Sequence, residues 1–174
     1  INPRVYFISS MTGEGIRKLV WEIKEVIDRL KIYKKNGFEI VISTSRNIRT
    51  YDGNIGKIFP NVEIKTLEGE VVETSSFVDI GNPTIVSFWS TNCVPCIKEL
   101  NAINSKYSEW KKETGLEVYA ISTDDARFQN RVPLIVSKKK WQFPVFFDGV
   151  KKLFIELGVS NNPYTVVLDK TGKI

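Results

Sequence analysis

Two cysteines separated by two residues carry the clearest chemistry in this sequence. Cys93 and Cys96 are the only cysteines among 174 residues, and two thiols would fall at this spacing by chance about once in a hundred such chains. They follow residues 84–89, an apolar run whose β-branched and aromatic side chains predict a buried strand. If a helix begins at the thiols, the positive end of its dipole favours the thiolate of Cys93.

A dithiol at the start of a helix predicts thiol–disulfide exchange. We expect Cys93 to attack a substrate disulfide and Cys96, a turn further inside, to resolve the mixed disulfide. Pro95 stiffens the turn between them. A static structural disulfide or half of a metal site would use the same spacing. Redox chemistry is favoured because a C-x-x-C pair beside a β-α-β pattern is a specific signal.

The residues that most other catalytic or metal centres require are absent. The sequence contains no histidine, which excludes Cys–His and Ser–His nucleophile pairs and every histidine-containing zinc site. Two cysteines are too few for a structural zinc site, and Ile97 stands where attachment of a c-type haem requires histidine. We therefore expect no metal and no cofactor.

The net charge of +5 is spread along the chain. Its densest runs, such as 138–140, are typical of solvated surfaces and lie beside no recognition motif, so we expect no nucleic-acid binding. No apolar run reaches the length of a transmembrane helix, and residues 1–5 lack the pattern of a signal peptide. Because the first residue is Ile1, we expect the sequence to begin downstream of the true start, so a lost export signal stays open.

Strand and helix patterns surround the dithiol. Asn92 is a favoured N-cap residue and Pro95 is tolerated in a first turn, so a helix is predicted from here to Gly115. The apolar residues of this helix are Cys96, Ile97, Leu100, Ile103, Tyr107 and Trp110. The next apolar run, 116–122, predicts a second strand and therefore a right-handed parallel β-α-β crossover.

The remaining segments complete an α/β pattern. A hairpin is predicted around Glu68 and Gly69. Asp124 and Asp125 are predicted to cap a helical stretch that Pro133 interrupts. A strand, a short helix and a further strand are predicted at 143–147, 153–157 and 164–168.

Residues 1–45 form a separate predicted unit, joined by a polar linker at 46–53. Two strand candidates flank apolar residues at helical spacing, which predicts a β-α-β appendage. Residues 7–16 and the following helix resemble the last strand, guanine-contacting loop and final helix of an Obg-like GTPase. The phosphate-binding G-x-x-x-x-G-K-[ST] and base-reading N-K-x-D motifs are absent, so we expect no functional nucleotide site. An ordinary appendage with a glycine-rich turn is the favoured interpretation.

Residues 54–174 resemble the thioredoxin superfamily, and within it the TlpA/ResA group of thiol–disulfide proteins. Residues 88–96 match the active-site strand and turn, and 159–165 match the segment that contains a cis-proline. The resemblance implies an α/β, thioredoxin-like three-layer sandwich with a mixed central sheet and an N-terminal hairpin. It also implies a last strand and closing helix that this sequence lacks, so we expect the chain to be truncated there.

The resemblance implies roles for five further residues. Pro163 would be the cis-proline facing the dithiol, and the backbone of Asn162 would pair with an extended substrate. Glu99 would influence cysteine ionisation, unless it is a solvated acid on the helix surface. Trp89 would pack under the turn or contact substrate, and Pro95 would contact the substrate.

Two departures from the family pattern affect the expected activity. Ser87 stands where thioredoxins have an aspartate, so no buried carboxylate is expected at that position of the strand to pass a proton to Cys96. Asn92 replaces the aromatic residue that usually precedes the first cysteine.

Two alternative functions stay open: a non-catalytic interaction module with a structural disulfide, and a peroxidase. The spacing of Pro83 and Thr91 from the first cysteine disfavours the peroxidase.

The resemblance also has implications for partners and location. It implies protein or small-molecule disulfides and dithiols as substrates and a membrane thiol reductant as electron donor. Members of the TlpA/ResA group work outside the bacterial cytoplasm, so we expect the cell envelope or periplasm, whereas the GTPase-like start indicates the cytoplasm. We expect a monomer.

Overall fold

The computed structural model describes residues 6–7, 42–43, 54, 56–77, 82–169 and 171–174. Its strands are Tyr6–Phe7 (β1), Ile42–Ser43 (β2), Glu63–Thr66 (β3), Val71–Glu73 (β4), Thr84–Trp89 (β5), Glu117–Ser122 (β6), Val145–Phe147 (β7) and Tyr164–Leu168 (β8). Its α-helices are Val94–Thr114 (α1), Val132–Lys139 (α2) and Lys152–Glu156 (α3), with 3-10 turns at Thr74–Phe77 and Gln129–Arg131.

Strands β3 to β8 form one mixed sheet of six strands in the order β4-β3-β7-β6-β5-β8. Strands β5, β6 and β7 are parallel, while β3 and β8 pair antiparallel with β7 and β5. The β5–α1–β6 connection is the predicted parallel crossover, and β3 and β4 form the predicted hairpin. In the β5–β6 register, Trp89 lies opposite Ser122, so the carboxyl ends of these strands are neighbours.

The sheet is covered on both faces, which gives three layers. Alternate residues of β5 belong to two apolar clusters: Ile85 and Trp89 to the first, Val86 and Phe88 to the second. Helix α1 and the start of α2 pack in the first cluster, and α3 packs in the second. Every residue of β5 is buried, as its continuous apolar run predicts. The predicted α/β sandwich is confirmed.

Helix α1 packs one face against the sheet. Its buried residues are Cys96, Glu99, Leu100, Ile103, Tyr107 and Trp110. Ile97, predicted on this face, is half-buried instead. The helix ends at the predicted residue: Gly115 has a φ of 72° and donates its N–H to the Lys111 carbonyl at 2.9 Å. A left-handed φ at a helix end favours glycine.

Two predicted helix boundaries are wrong. The N-cap of α1 is Cys93 rather than Asn92, because the cysteine sulfur accepts the first-turn hydrogen bond. Asp124 and Asp125 do not cap α2, which begins later with Pro133 in its first turn. A first turn leaves its N–H groups unused, so proline starts this helix instead of interrupting it. None of the described helices has the length and apolar composition that a membrane crossing requires.

Only short parts of the N-terminal unit belong to the described residues. Strands β1 and β2 pair in parallel, with Tyr6 opposite Ile42, which agrees with a β-α-β arrangement. The helix predicted between them, the GTPase-like loop and the linker at 46–53 lie outside the described residues. The appendage and the domain boundaries therefore stay predictions.

Candidate active site

The two cysteines form a disulfide where β5 leads into α1. The chain turns after β5, and the Cys93 N–H donates to the Ser90 carbonyl at 3.0 Å. Cys93 is then extended, with φ −91° and ψ 90°, and its Sγ accepts a hydrogen bond from the Cys96 N–H at 3.2 Å. The first sulfur therefore lies at the N-terminal N–H groups of α1, which stabilise a thiolate in the reduced protein.

The two cysteines differ in their access to solvent. Cys96 is 1% exposed and packs in the first apolar cluster, whereas Cys93 is half-buried. Cys93 also lines an open cleft of about 390 Å³ beside the carboxyl ends of β5 and β6, together with residues of the loop before β8. This placement agrees with an attacking Cys93 and a resolving Cys96. Within the described ranges, no group of three or more side chains could hold a metal ion.

Glu99 is the buried acid of this site. Its side chain is 0% exposed and shares a face of α1 with Cys96, one turn earlier. Burial raises the pKa of Glu99 from 4.5 to about 7, although a hydrogen bond from Thr165 at 2.6 Å opposes the rise. The second carboxyl oxygen, Oε2, has no hydrogen-bond partner among the described residues. The interpretation of Glu99 as a solvated surface acid is therefore wrong.

Ser87 and Thr165 connect this acid to the sheet. They lie opposite each other on β5 and β8, both buried, with their hydroxyl oxygens 2.9 Å apart. A hydroxyl has one proton, so Thr165 donates to the ionised carboxylate of Glu99 and accepts from Ser87. Ser87 leaves no carboxylate in β5, as the sequence indicates. Helix α1 supplies a buried carboxylate instead, that of Glu99.

The peptide bond between Asn162 and Pro163 is cis, as the resemblance implies. The loop of Asn162 precedes β8, the antiparallel neighbour of β5, and it lines the cleft together with Cys93. The Asn162 Nδ2 donates to Thr123 Oγ1 at 2.7 Å, and the Thr123 hydroxyl donates to the Trp89 carbonyl at 3.2 Å. The fold thus brings this loop to the dithiol turn.

Trp89 and Pro95 lie outside the lining of the cleft. Trp89 is 0% exposed, and its ring packs edge-on against Trp141 with the centroids 4.9 Å apart. Its assignment as a substrate-contacting residue is wrong, because the ring lies within the first apolar cluster beside Cys96. Pro95 is half-buried in the first turn of α1, and its contact with substrate stays a prediction.

Comparison with known proteins agrees with this geometry. The family model described as AhpC/TSA matches residues 55–174. The chain belongs to the AhpC/TSA family. Two relatives, the thiol-disulfide oxidoreductases ResA of Bacillus thuringiensis (strain Al Hakam) and of Bacillus anthracis, are each 33% identical over 120 residues, or 69% of this chain and 66% of theirs. This chain therefore spans just under two thirds of the length of these relatives.

Solved structures show the fold of this AhpC/TSA family member. A thioredoxin-like protein from Porphyromonas gingivalis is 33% identical, with a TM-score of 0.59 and coverage of 70% of this chain and 78% of its own. The thioredoxin domain of a thiol-disulfide oxidoreductase from Bacteroides vulgatus is 24% identical, with a TM-score of 0.59 and coverage of 69% of this chain and 84% of its own. At this identity it supports the fold alone. The thioredoxin-like fold and the resemblance to ResA are confirmed. The likeness of residues 7–16 to a GTPase stays a prediction.

The site role of Asp124, like those of Thr123 and Thr165, was not predicted from the sequence of this AhpC/TSA protein. Asp124 is 4% exposed and accepts, each at 2.8 Å, the N–H and the hydroxyl of Thr91 and the hydroxyl of Ser122. It therefore fixes the turn that precedes Cys93. The sequence signal is positional: an acid two residues after the end of β6 lies beside the carboxyl end of the parallel strand β5.

Proposed function

We propose that this protein is a thiol–disulfide oxidoreductase of the ResA type, with Cys93 as the attacking sulfur and Cys96 as the resolving sulfur. The observation that carries this proposal is the unequal placement of the cysteines. Cys93 lines the cleft at a helix N-terminus, and Cys96 is buried inside the first turn. The names of the ResA relatives state the same activity for those proteins, which supports the proposal.

The reaction proceeds by two exchanges. In the reduced protein, the Cys93 thiolate attacks one sulfur of a substrate disulfide, the substrate S–S bond breaks, and one substrate thiolate leaves and takes up a proton. The Cys96 thiol then loses its proton and attacks the Cys93 sulfur, which releases the second substrate thiolate. The substrate gains two electrons and two protons, and the protein ends in its disulfide form.

Glu99 exchanges the proton of Cys96 in this scheme. Burial raises the pKa of Glu99 to about 7, so the carboxyl group can gain or lose a proton near neutral pH. It lies one turn after Cys96 on the same helix face, and the hydrogen bond with Thr165 fixes its orientation. A residue of α1 thus takes the role that thioredoxins give to an aspartate at the position of Ser87.

The substrates of this reaction are proteins or small molecules that contain a disulfide or a dithiol. They bind across the loop of Asn162 and Pro163, and the backbone of Asn162 pairs with an extended substrate segment. The position of this loop at the cleft beside Cys93 supports the assignment.

The resemblance to the TlpA/ResA group supports a membrane thiol reductant as electron donor and a place in the bacterial cell envelope. A monomeric state is part of the same proposal. Fractionation of cells that produce the natural protein tests the location. Recovery in the cytoplasmic fraction would contradict it.

Cysteine variants test the proposed activity. The reduced wild-type protein should convert a peptide disulfide to its two thiols, and Cys93→Ser should be inactive because the attacking sulfur is gone. Cys96→Ser should accumulate a mixed disulfide, detected by mass spectrometry, because the first exchange proceeds and the second cannot. Full activity of Cys93→Ser would refute the assignment.

A redox titration separates this function from that of an interaction module with a structural disulfide. The half-buried Cys93 at the cleft favours a bond that small thiols can reduce. We therefore expect a reduction potential above about −300 mV, the level below which structural disulfides lie. A lower potential, together with no reaction towards small thiols, would support the module.

A further inference from the structure

The residues at the carboxyl end of β6 contact both loops that border Cys93. We define Ser122, Thr123 and Asp124 as the β6 junction. The N–H of Thr123 donates to the Trp89 carbonyl at 2.9 Å, so the pairing of β6 with β5 continues into the junction. The three junction residues are between 0% and 6% exposed, so water has little access to their side of these hydrogen bonds.

Asp124 holds the loop that leads to the attacking cysteine. Its carboxylate accepts two hydrogen bonds from Thr91, one from the N–H and one from the hydroxyl, and a third from Ser122, each at 2.8 Å. Thr91 lies two residues before Cys93, inside the turn that the Cys93 N–H closes on Ser90. Hydrogen bonds to a carboxylate are stronger than those between neutral groups, so this turn has a firm anchor.

Thr123 holds the second loop through its hydroxyl. The hydroxyl accepts a hydrogen bond from Asn162 Nδ2 at 2.7 Å and donates one to the Trp89 carbonyl at 3.2 Å. Asn162 directly precedes Pro163 and lines the cleft with Cys93. Two consecutive residues of the junction therefore bind two different loops of the site.

We propose that Asp124 and Thr123 are positioning residues with separate tasks: Asp124 fixes the attacking sulfur, and Thr123 fixes the substrate-binding loop. Neither side chain exchanges electrons or protons with the substrate. The inference rests on the proposed oxidoreductase function and deepens it, because each bond affects a different step. Loss of the Thr91–Asp124 hydroxyl bond slows the attack by Cys93, and loss of the Thr123–Asn162 bond weakens substrate binding.

Two isosteric variants test this division. The reduced protein is mixed with increasing excess of a peptide disulfide, and single turnovers give a limiting rate and a half-saturating concentration. Thr123→Val should raise the half-saturating concentration about fivefold, the factor that one neutral hydrogen bond contributes, at an unchanged limiting rate. Thr91→Val should lower the limiting rate by about tenfold, a larger factor because the lost bond is to a carboxylate, at an unchanged half-saturating concentration.

Matched variants control for the loss of a hydroxyl as such. Thr123→Ser and Thr91→Ser keep the hydroxyl and should restore the wild-type constants. Thr114→Val removes a hydroxyl that donates to the Trp110 carbonyl near the far end of α1, and it should change neither constant. Should Thr123→Val fail to fold, Asn162→Ala removes the same bond from the other loop and should give the same rise in half-saturating concentration.

The possible failures are distinguishable. Equal changes of both constants in either valine variant, or no change in either, would overturn the division of tasks within the β6 junction. A wild-type protein that reduces no peptide disulfide at any concentration would instead refute the proposed function. The second result is read from the wild type alone, before any variant is compared.

Discussion

At the scale of single residues, the proposed reaction depends on the protonation of Glu99. Burial raises the pKa of this carboxyl group to about 7 because the ionised form loses its hydration. Below that pH the group is mostly protonated and cannot accept the proton of Cys96. Above it the group is mostly ionised and can. The step in which Cys96 resolves the mixed disulfide should therefore accelerate as the pH rises through about 7.

Glutamine at position 99 keeps the shape of the side chain but cannot accept a proton. We expect Glu99→Gln to release the second substrate thiol about tenfold or more slowly at alkaline pH and to lack the rise near neutrality. Rapid quenching of the mixed disulfide over a range of pH values measures this step. Glu156→Gln changes an exposed acid of α3 and should follow the wild type. A wild-type profile in Glu99→Gln would remove Glu99 from the proton path.

Thr165 tunes the same group. Its hydrogen bond to the carboxyl group lowers the pKa of Glu99 and so opposes the effect of burial. Thr165→Val should therefore shift the midpoint of the resolving step to higher pH, and Thr165→Ser should leave it in place. The rate of mixed-disulfide decay against pH gives both midpoints. A downward shift in the valine variant would contradict the assigned direction.

The residues of this proton path illustrate what the sequence could predict. The spacing and context of Cys93 and Cys96 predict their chemistry, because both depend on neighbours along the chain. The burial of Glu99 does not follow from residue type: the spacing places position 99 on the apolar face of α1, but a carboxyl group is rarely fully buried. Its hydrogen-bond partner Thr165 is separated from it by 66 residues, so only tertiary structure shows why the acid can be buried.

At the scale of elements, local sequence patterns predict where a helix or strand lies better than the residue at which it begins. The apolar run of β5 and the periodic face of α1 locate both elements, because burial against the sheet requires those patterns. The cap of α1 is different. Asn92 is the better N-cap residue by propensity, but the turn at Ser90 directs the sulfur of Cys93 to the first-turn N–H instead. Chain geometry, which propensity does not contain, decides the boundary.

The far end of α1 gives a stability prediction. Gly115 has a φ of 72°, and a Cβ atom there would lie 2.5 Å from Oδ1 of Asn82. Gly115→Ala should lower the free energy of unfolding by about 2 kcal/mol or more, since a left-handed alanine costs about 1–2 kcal/mol before any contact is considered. Urea unfolding measures the loss.

Gly69 provides the matched control for this contact. It also has a positive φ, 92°, but a Cβ atom there would meet nothing within 4 Å. Gly69→Ala should therefore lower the free energy of unfolding only by the cost of a left-handed alanine, which is less than the loss in Gly115→Ala. Equal losses in the two variants would mean that Asn82 moves aside without cost.

At the scale of the whole molecule, the sheet order determines which loops meet at the cleft. Strand β8 pairs with β5 although Ser87 and Thr165 are 78 residues apart. This pairing brings the loop of Pro163 to the dithiol. Hydrophobic periodicity identifies both strands but not their partners, so the sequence placed Pro163 in the site only through its resemblance to a family. The resemblance to the family implied no role for the β6 junction. Its place at the site follows only from the strand register, in which Trp89 lies opposite Ser122.

Glu99 also links the stability of the whole molecule to pH. Its pKa is 4.5 in the reference state and about 7 in the folded protein, so the folded state binds more protons between these values. The stabilisation from this group is therefore complete below about pH 4.5 and is lost as the pH rises through about 7. The full loss corresponds to about 3 kcal/mol, with little reduction by solvent screening because the side chain is 0% exposed.

Glu99→Gln should therefore be more stable than the wild type at alkaline pH, because a neutral amide avoids the burial of a charge. Urea unfolding of both oxidised proteins at acidic and alkaline pH measures the effect, and the difference should grow by about 3 kcal/mol in favour of the variant as the pH rises. Burial also raises the pKa of Asp148. Because this residue is present in both proteins, its contribution to the pH dependence cancels in the difference. A difference independent of pH would contradict the shifted pKa of Glu99. A variant that gains stability while its resolving step slows would indicate that this acid is retained for the reaction rather than for folding.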